Sequence, residues 1–134
     1  MPKYMLLQNY EGGADCDVPM TEWTPEDIKA HIEFQHVLNR ELVANGEFVE
    51  AQGLAGPELA KKVTFDGVTA PVVTDGPFPE AKELLAGYRV VDVESEARAI
   101  EIAAKISAAP GPAGAPIQQP VELRQIMDAP QIQP

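Results

Sequence analysis

Hydrophobic and polar positions divide the first third of the chain into a short strand, a loop and a long helix. The segment KYMLLQ, residues 3–8, has the length and apolar content of a strand. Residues 10–23 are polar and turn-rich, which favours a loop. The next apolar residues recur at helical spacing and predict a helix that covers a sheet with one face. This apolar stripe comprises Ile28, Ile32, Gln35, Leu38 and Leu42, with His31 and Asn39 beside it.

The ends of this first helix carry recognisable capping signals. Thr24 is suited to the N-cap, and Pro25 to the first helical position. Asp27 lies where a capping box would let its carboxylate bond back to Thr24. Gly46 supplies the left-handed residue that commonly ends a helix. The sequence therefore predicts a helix that begins after Thr24 and stops at Gly46.

The middle of the chain is rich in β-branched residues and turn signals. Asp66-Gly67 lies between two such runs, which predicts a hairpin with a tight type I′ turn. Pro71 confines its second strand to a sheet edge or to the start of the strand. The strands predicted here are residues 47–54, 61–65, 68–74 and 84–93.

The last third of the chain predicts a second helix and a final strand. Residues 94–109 read as a helix with Ser95 as its N-cap and Pro110 after its end. Its buried stripe is Ala99, Ile102, Ala103 and Ile106. Residues 110–116 form a proline-rich loop that could act as a lid or an oligomer contact. We expect a final strand at 119–127, a tail at 128–134 and one domain over 1–127.

The predicted order of elements is β-α-β-hairpin-β-α-β. Two βαβ halves with both helices on one face of an antiparallel sheet make an α+β, ferredoxin-like split βαβ fold. The other face of such a sheet is left bare. We therefore expect a second copy to cover it in a symmetric homodimer.

Composition and charge narrow the possible partners. The 134 residues are 45% apolar, which suits one compact domain. Cys16 is the single cysteine, so no internal disulfide can form, and a lone thiol fits a reducing cytoplasm. The N-terminal apolar run is too short for a signal peptide or a membrane span. The net charge of −11 counts against nucleic acid. We expect a cytoplasmic protein without nucleic-acid or membrane partners.

Several segments together resemble a known family. YMLLQNY, LNRELVANGEFVEAQGL, VVTDGPFPEAKELLAGYRVVDVES and the stretch from RAIEIAAKISAA to LRQIM look like the DGPF-domain branch of the YCII-related proteins. The resemblance covers nearly the whole chain. It implies a dimeric α+β barrel, and in some relatives an enzyme with a His and Asp pair in its cleft. It also implies a possible sigma-factor partner.

The DGPF motif itself supplies the first candidate site residues. Asp75 follows a strand and precedes Gly76, which permits an unusual backbone conformation. Its carboxylate could bond backbone N–H groups in the bend, or act as a general acid, base or ligand anchor at the barrel mouth. Phe78 is either a plug of the core or the wall of a pocket.

His31 and His36 are the only histidines, and histidine is the side chain best suited to proton transfer near neutral pH. They are five residues apart and so point to different sides of the helix. His31 borders the apolar stripe and could be a hydrogen-bonded core residue. The alternative is catalytic, and His31 with Asp75 is then the preferred pair.

No metal or cofactor is expected. The chain has no His-x-x-x-His pair, no second cysteine and no calcium-binding loop. Lys82, Tyr88 and Arg89 follow the DGPF bend. Exposed charges at a sheet edge are the simpler interpretation of these three residues, and a rim that holds an anion is the alternative.

Three functions remain open from the sequence. The first is a dimer that binds a small organic metabolite without catalysis or serves a regulatory partner. The second is a lyase- or isomerase-type enzyme that uses Asp75 and one histidine for proton transfer. The third is an assembly module without a ligand.

Overall fold

The computed structural model describes residues 1–9, 22–76 and 85–127. The predictions for Phe78, Lys82 and Cys16 lie outside these residues, as does the tail at 128–134. The helices are α1 (Pro25–Ala44) and α2 (Glu96–Ser107), and the strands are β1 (Lys3–Asn9), β2 (Phe48–Gly53), β3 (Lys61–Thr64), β4 (Val72–Asp75), β5 (Leu85–Asp92) and β6 (Val121–Gln125).

Four strands form one antiparallel sheet in the order β2-β5-β1-β6. β5 is therefore a central strand, flanked by β1 and β2. With α1 following β1 and α2 following β5, the predicted ferredoxin-like α+β fold is confirmed. None of the described helices is long and apolar enough to cross a membrane.

The predicted capping residues are found at the start of both helices and at the end of α1. The Asp27 backbone N–H donates to Thr24 Oγ1 at 3.2 Å, and the Arg98 N–H donates to Ser95 Oγ at 3.3 Å. Gly46 has a φ of +73°, which a residue with a Cβ adopts only with strain. The predicted capping-box return is wrong, because the Asp27 carboxylate instead accepts a hydrogen bond from the Ala113 N–H at 3.3 Å.

The main core lies between the helices and one face of the sheet. Its fully buried side chains include Leu6 of β1, Leu42 of α1 and Val91 of β5. α2 contributes Ala99, Ile102 and Ile106, all of them buried. A second apolar cluster consists of Trp23, Ala109 and Ile117, with Ile28 and Phe34 packed against it. It joins the start of α1 to the loop after α2.

The buried row of α1 differs from the predicted stripe. Ile32 is 45% exposed, whereas His31, Leu38 and Leu42 are buried. Positions 31, 35, 38 and 42 follow each other at intervals of three or four residues and face the sheet. The assignment of Ile32 to the buried stripe was wrong because two polar residues, His31 and Gln35, occupy positions that apolar residues normally fill.

The predicted hairpin forms, but its tight turn was wrong. β3 and β4 make a separate two-stranded sheet in which Thr64 pairs with Val72, so residues 65–71 form a longer loop. Asp66 Oδ1 accepts hydrogen bonds from the N–H groups of Val68 and Thr69, both at 2.8 Å. These bonds hold the pKa of Asp66 below its ordinary value. A side chain, rather than a two-residue backbone turn, therefore shapes this loop.

Candidate binding site beneath the first helix

Arg89 of β5 points toward α1 from the centre of the sheet. Its register partner on the neighbouring strand β1 is Leu6, which is fully buried in the core. Only 5% of Arg89 is exposed. The earlier interpretation of an exposed charge at a sheet edge is therefore wrong for this residue, since β5 is a central strand and α1 covers its helix-facing side.

Two neutral amides on α1 accept hydrogen bonds from the buried guanidinium. Arg89 Nε donates to Asn39 Oδ1 at 2.9 Å, and Arg89 Nη2 donates to Gln35 Oε1. Residues 35 and 39 are one helical turn apart, so both amides lie along the same line of α1. The strand and the helix are thus joined by polar contacts where the rest of the layer is aliphatic.

His31 extends this line by one more turn of α1. Its Nδ1 lies 3.0 Å from the carbonyl oxygen of Pro110, and its Nε2 lies 3.3 Å from Gln35 Nε2. Trp23 meets the imidazole edge-on, with ring centroids 5.5 Å apart and an interplanar angle of 79°. His31, Gln35, Asn39 and Arg89 are called the polar cluster below.

Donor and acceptor chemistry gives the polar cluster one direction. The Pro110 carbonyl can only accept, so His31 Nδ1 carries a proton and donates it. Gln35 accepts from Arg89 through its oxygen and therefore turns its NH₂ group toward His31 Nε2. His31 Nε2 must then be the acceptor, as in the neutral imidazole. The hydrogen bonds therefore run in one direction: Arg89 donates to Gln35, Gln35 donates to His31, and His31 donates to the Pro110 carbonyl.

The charge of Arg89 is not balanced by a carboxylate. No Asp or Glu in the described ranges lies within ion-pair distance of its guanidinium, although several other cations there have such partners. Burial lowers the pKa of Arg89 from its ordinary value. The cluster therefore holds a buried cation between neutral groups.

Asp75 and Gly76 lie at the end of β4, in the smaller sheet. The Asp75 side chain is 74% exposed and accepts a hydrogen bond from Lys61 Nζ at 2.5 Å. The Gly76 N–H donates to the Ala60 carbonyl at 2.7 Å. Asp75 and His31 thus have different partners, and the structure does not join them as a pair. Their catalytic roles stay predictions.

The other two predicted residues lie on different surfaces. Tyr88 points to the sheet face away from the helices, where its hydroxyl lies 3.4 Å from Glu50 Oε2. Burial, and then the negative charge of Glu50, raise the pKa of Tyr88. His36 is exposed and lines an open groove of about 550 Å³ on the outer side of α1, together with Ile28 and Ile32. His31 and His36 therefore do point to different sides, as their spacing predicted.

Sequence reasoning missed the roles of Gln35 and Asn39. The signal that could have found them is the spacing of His31, Gln35 and Asn39, which places a polar side chain at each successive turn beside the buried row. Among the described residues, no three His, Cys, Asp or Glu side chains lie close enough together to hold a metal ion.

A four-stranded ferredoxin-like sheet, two helices on one face and a polar cluster beneath the first helix define a small α+β protein with a buried polar cluster as its candidate site. Residues 3–115 match the family model of the YCII-related domain. The chain belongs to the YCII-related family, as the resemblance predicted, and its place in the DGPF branch stays a prediction. No curated protein matches the sequence at a significant level.

Proposed function

We propose that this protein binds a small organic metabolite between α1 and the sheet, beside the polar cluster. The observation that carries the proposal is the buried Arg89, held by two neutral amides in an otherwise apolar layer. Burying a charge without a partner costs free energy, so a layer that served only the fold would gain from an apolar residue there. α2 buries Ala99, Ile102 and Ile106 over the same sheet, and its one buried-side cation, Arg98, is paired with Glu47.

The geometry supports binding better than proton transfer by His31 and Asp75. Both ring nitrogens of His31 already have partners, and the Asp75 carboxylate pairs with Lys61. Proton transfer would require both residues to leave these partners and face one molecule. The enzyme of the lyase or isomerase type is therefore the second candidate.

A homodimer is part of the proposal. Met5 and Leu7 are half-buried and project from the sheet face opposite the helices, by the strand alternation that places Leu6 and Arg89 in the core. An apolar centre on this face suits a second copy of the chain. Sedimentation of the purified protein tests this expectation, and a monomer at micromolar concentration would contradict it. Cytoplasmic location remains a prediction from the sequence, and a sigma-factor partner remains an expectation from the family resemblance.

Trp23 makes the binding proposal directly testable. It is the single tryptophan of the chain and contacts His31. A set of small neutral, anionic and cationic metabolites should include compounds that change its fluorescence in a saturable way. Gln35→Leu should weaken that response because it breaks the link between Arg89 and His31. Gln52→Leu, an exposed glutamine on β2, is the matched control and should respond like the wild type.

The proposal fails if no compound in the set changes Trp23 fluorescence. It also fails if Gln35→Leu and Gln52→Leu bind every active compound equally, since binding would then not involve the polar cluster.

A further inference from the structure

The guanidinium of Arg89 has an unused end. Nε and Nη2 donate to Asn39 and Gln35, while Nη1 has no hydrogen-bond partner within the described residues. Among those residues, Asp92 Oδ1 is the only fully buried side-chain nitrogen or oxygen without a hydrogen-bond partner. Arg89 Nη1 is not among these fully buried atoms, although only 5% of the residue is exposed.

The unused end suits an oxygen anion. A guanidinium is planar, stays protonated and presents its N–H groups as a fork that matches two oxygens of one group. The two amides that hold Arg89 are neutral. They orient the fork without neutralising it, so an incoming anion would find the full positive charge.

The single positive charge of Arg89 favours a carboxylate over a phosphate as its ligand. Of the three buried polar residues in the described part, Glu47 is paired with Arg98 and His31 is the neutral acceptor for Gln35, which leaves Arg89 as the one uncompensated charge. A carboxylate brings one negative charge and balances it. A phosphate monoester carries closer to two, so part of its charge would be buried without a partner.

The neighbouring side chains indicate the rest of the ligand. The polar cluster adjoins Trp23 through His31, and Ile28 and Phe34 pack against Trp23. Aromatic and aliphatic surfaces of this kind bind apolar carbon skeletons, while a few polar groups fix the orientation.

We propose that Arg89, between α1 and the sheet, binds the carboxylate of an apolar organic acid. This inference rests on the proposed function, because it names the chemical class of the metabolite bound at the same cluster. Asn39 and Gln35 position the guanidinium, and the carbon skeleton lies toward Trp23.

Benzoate and benzamide are matched probes, because they have the same ring and nearly the same shape but differ by one charge. Titration followed by Trp23 fluorescence and by the NMR signal of Arg89 Nε–H should show benzoate binding the wild type about tenfold or more tightly than benzamide. Phenyl phosphate should bind more weakly than benzoate. Arg89→Gln should remove the preference for benzoate.

Asn39→Asp provides a second variant that keeps Arg89. It places a carboxylate at the position where Asn39 Oδ1 now accepts from Arg89 Nε at 2.9 Å. Because this carboxylate balances the buried cation, affinity for benzoate should fall about tenfold or more. Arg40→Gln is the control: it removes one positive charge from an exposed position of the same helix and should leave benzoate binding unchanged.

The inference is overturned if benzamide binds as tightly as benzoate, if phenyl phosphate binds more tightly, or if Arg89→Gln keeps the wild-type preference. If neutral compounds change Trp23 fluorescence and benzoate does not, the proposed function stands and the carboxylate is wrong. If no compound of any charge binds, both fail.

Discussion

Two arginines, Arg98 in α2 and Arg89 on the sheet beneath α1, are held in opposite ways. Arg98, in the first turn of α2, donates through Nε and Nη2 to both oxygens of Glu47, each at 2.9 Å, and through Nη1 to Glu101 at 3.1 Å. Arg89, under α1, donates to two neutral amides. Arg98 has its negative partners within the chain, and Arg89 has none in the described part.

This difference separates a structural cation from one available to a ligand. The two-pronged contact of Arg98 with Glu47 ties the start of α2 to the residue before β2, and each group satisfies the other. The Glu47 pKa is accordingly lowered, first by this hydrogen bond, and the Arg98 pKa is raised by it. Arg89 shows only the effect of burial, which lowers its pKa.

The largest expected effect comes from breaking the structural pair. Glu47→Gln should lower the free energy of unfolding by about 2 kcal/mol, because Arg98 would keep its charge in a mostly buried position with only Glu101 to balance it. Urea denaturation measures the change. Glu101→Gln, at an exposed carboxylate of the same arginine, should cost less than about 0.5 kcal/mol. Equal losses in the two variants would contradict the structural role of Glu47.

Acid should break the same pair without a mutation. The folded-state pKa of Glu47 is lowered from the ordinary value of 4.5, so its contribution to stability is complete above that value. The contribution is lost as the pH falls through the lowered pKa of the folded state. Unfolding curves of the wild type and Glu47→Gln should therefore converge with decreasing pH. A constant difference from neutral to strongly acidic pH would contradict the assignment.

Asn39→Asp tests whether Arg89 can be given a carboxylate partner within the chain, as Arg98 has in Glu47. A carboxylate beside Arg89 Nε should raise the free energy of unfolding by about 1 kcal/mol, since it pairs with a charge that the chain already buries. The gain should vanish in the double variant with Arg89→Met. A double-mutant cycle in urea measures this coupling. No coupling would mean that Arg89 is already balanced.

Removal of Arg89 itself should have a smaller effect. Arg89→Met should change the free energy of unfolding by less than about 1 kcal/mol, because the loss of two hydrogen bonds is offset by the removal of a buried charge. If this variant is destabilised more than Glu47→Gln in the same urea assay, Arg89 is a structural residue.

The smallest effect is expected at the exposed pair of Asp75 and Lys61. Asp75→Asn should change the free energy of unfolding by less than about 0.5 kcal/mol, since both side chains are largely in solvent. Trp23 fluorescence should report unchanged binding of small metabolites. A loss of binding with normal stability would instead support the role predicted for Asp75 at a ligand site.

The elements of the fold could be predicted because their signals are local. Thr24, Gly46 and Ser95 set helix ends through contacts within a few residues. The loop after β3 could not be predicted from Asp66-Gly67, because the Asp66 side chain competes with the backbone turn.

The candidate site was harder to predict because it depends on tertiary position. The sequence indicated His31 as a residue beside the buried stripe, but the importance of Arg89 follows from the central place of β5 in the sheet. The predicted fold already implied a central β5, but it did not show which of Tyr88 and Arg89 would face the helices. The alternation of β5 places Arg89 opposite Tyr88, so neighbouring residues that the sequence grouped together lie on opposite faces.

The contact between His31 and the Pro110 carbonyl joins residues 79 positions apart in the chain. Contacts of such long range form only after the intervening segments have been brought together, and this loop closure slows folding. Arg89 reaches Asn39 and Gln35 across 50 and 54 positions. We therefore expect the polar cluster to assemble late in folding, after α1 and α2 have formed. Refolding followed by Trp23 should accordingly lag behind the recovery of helical circular dichroism.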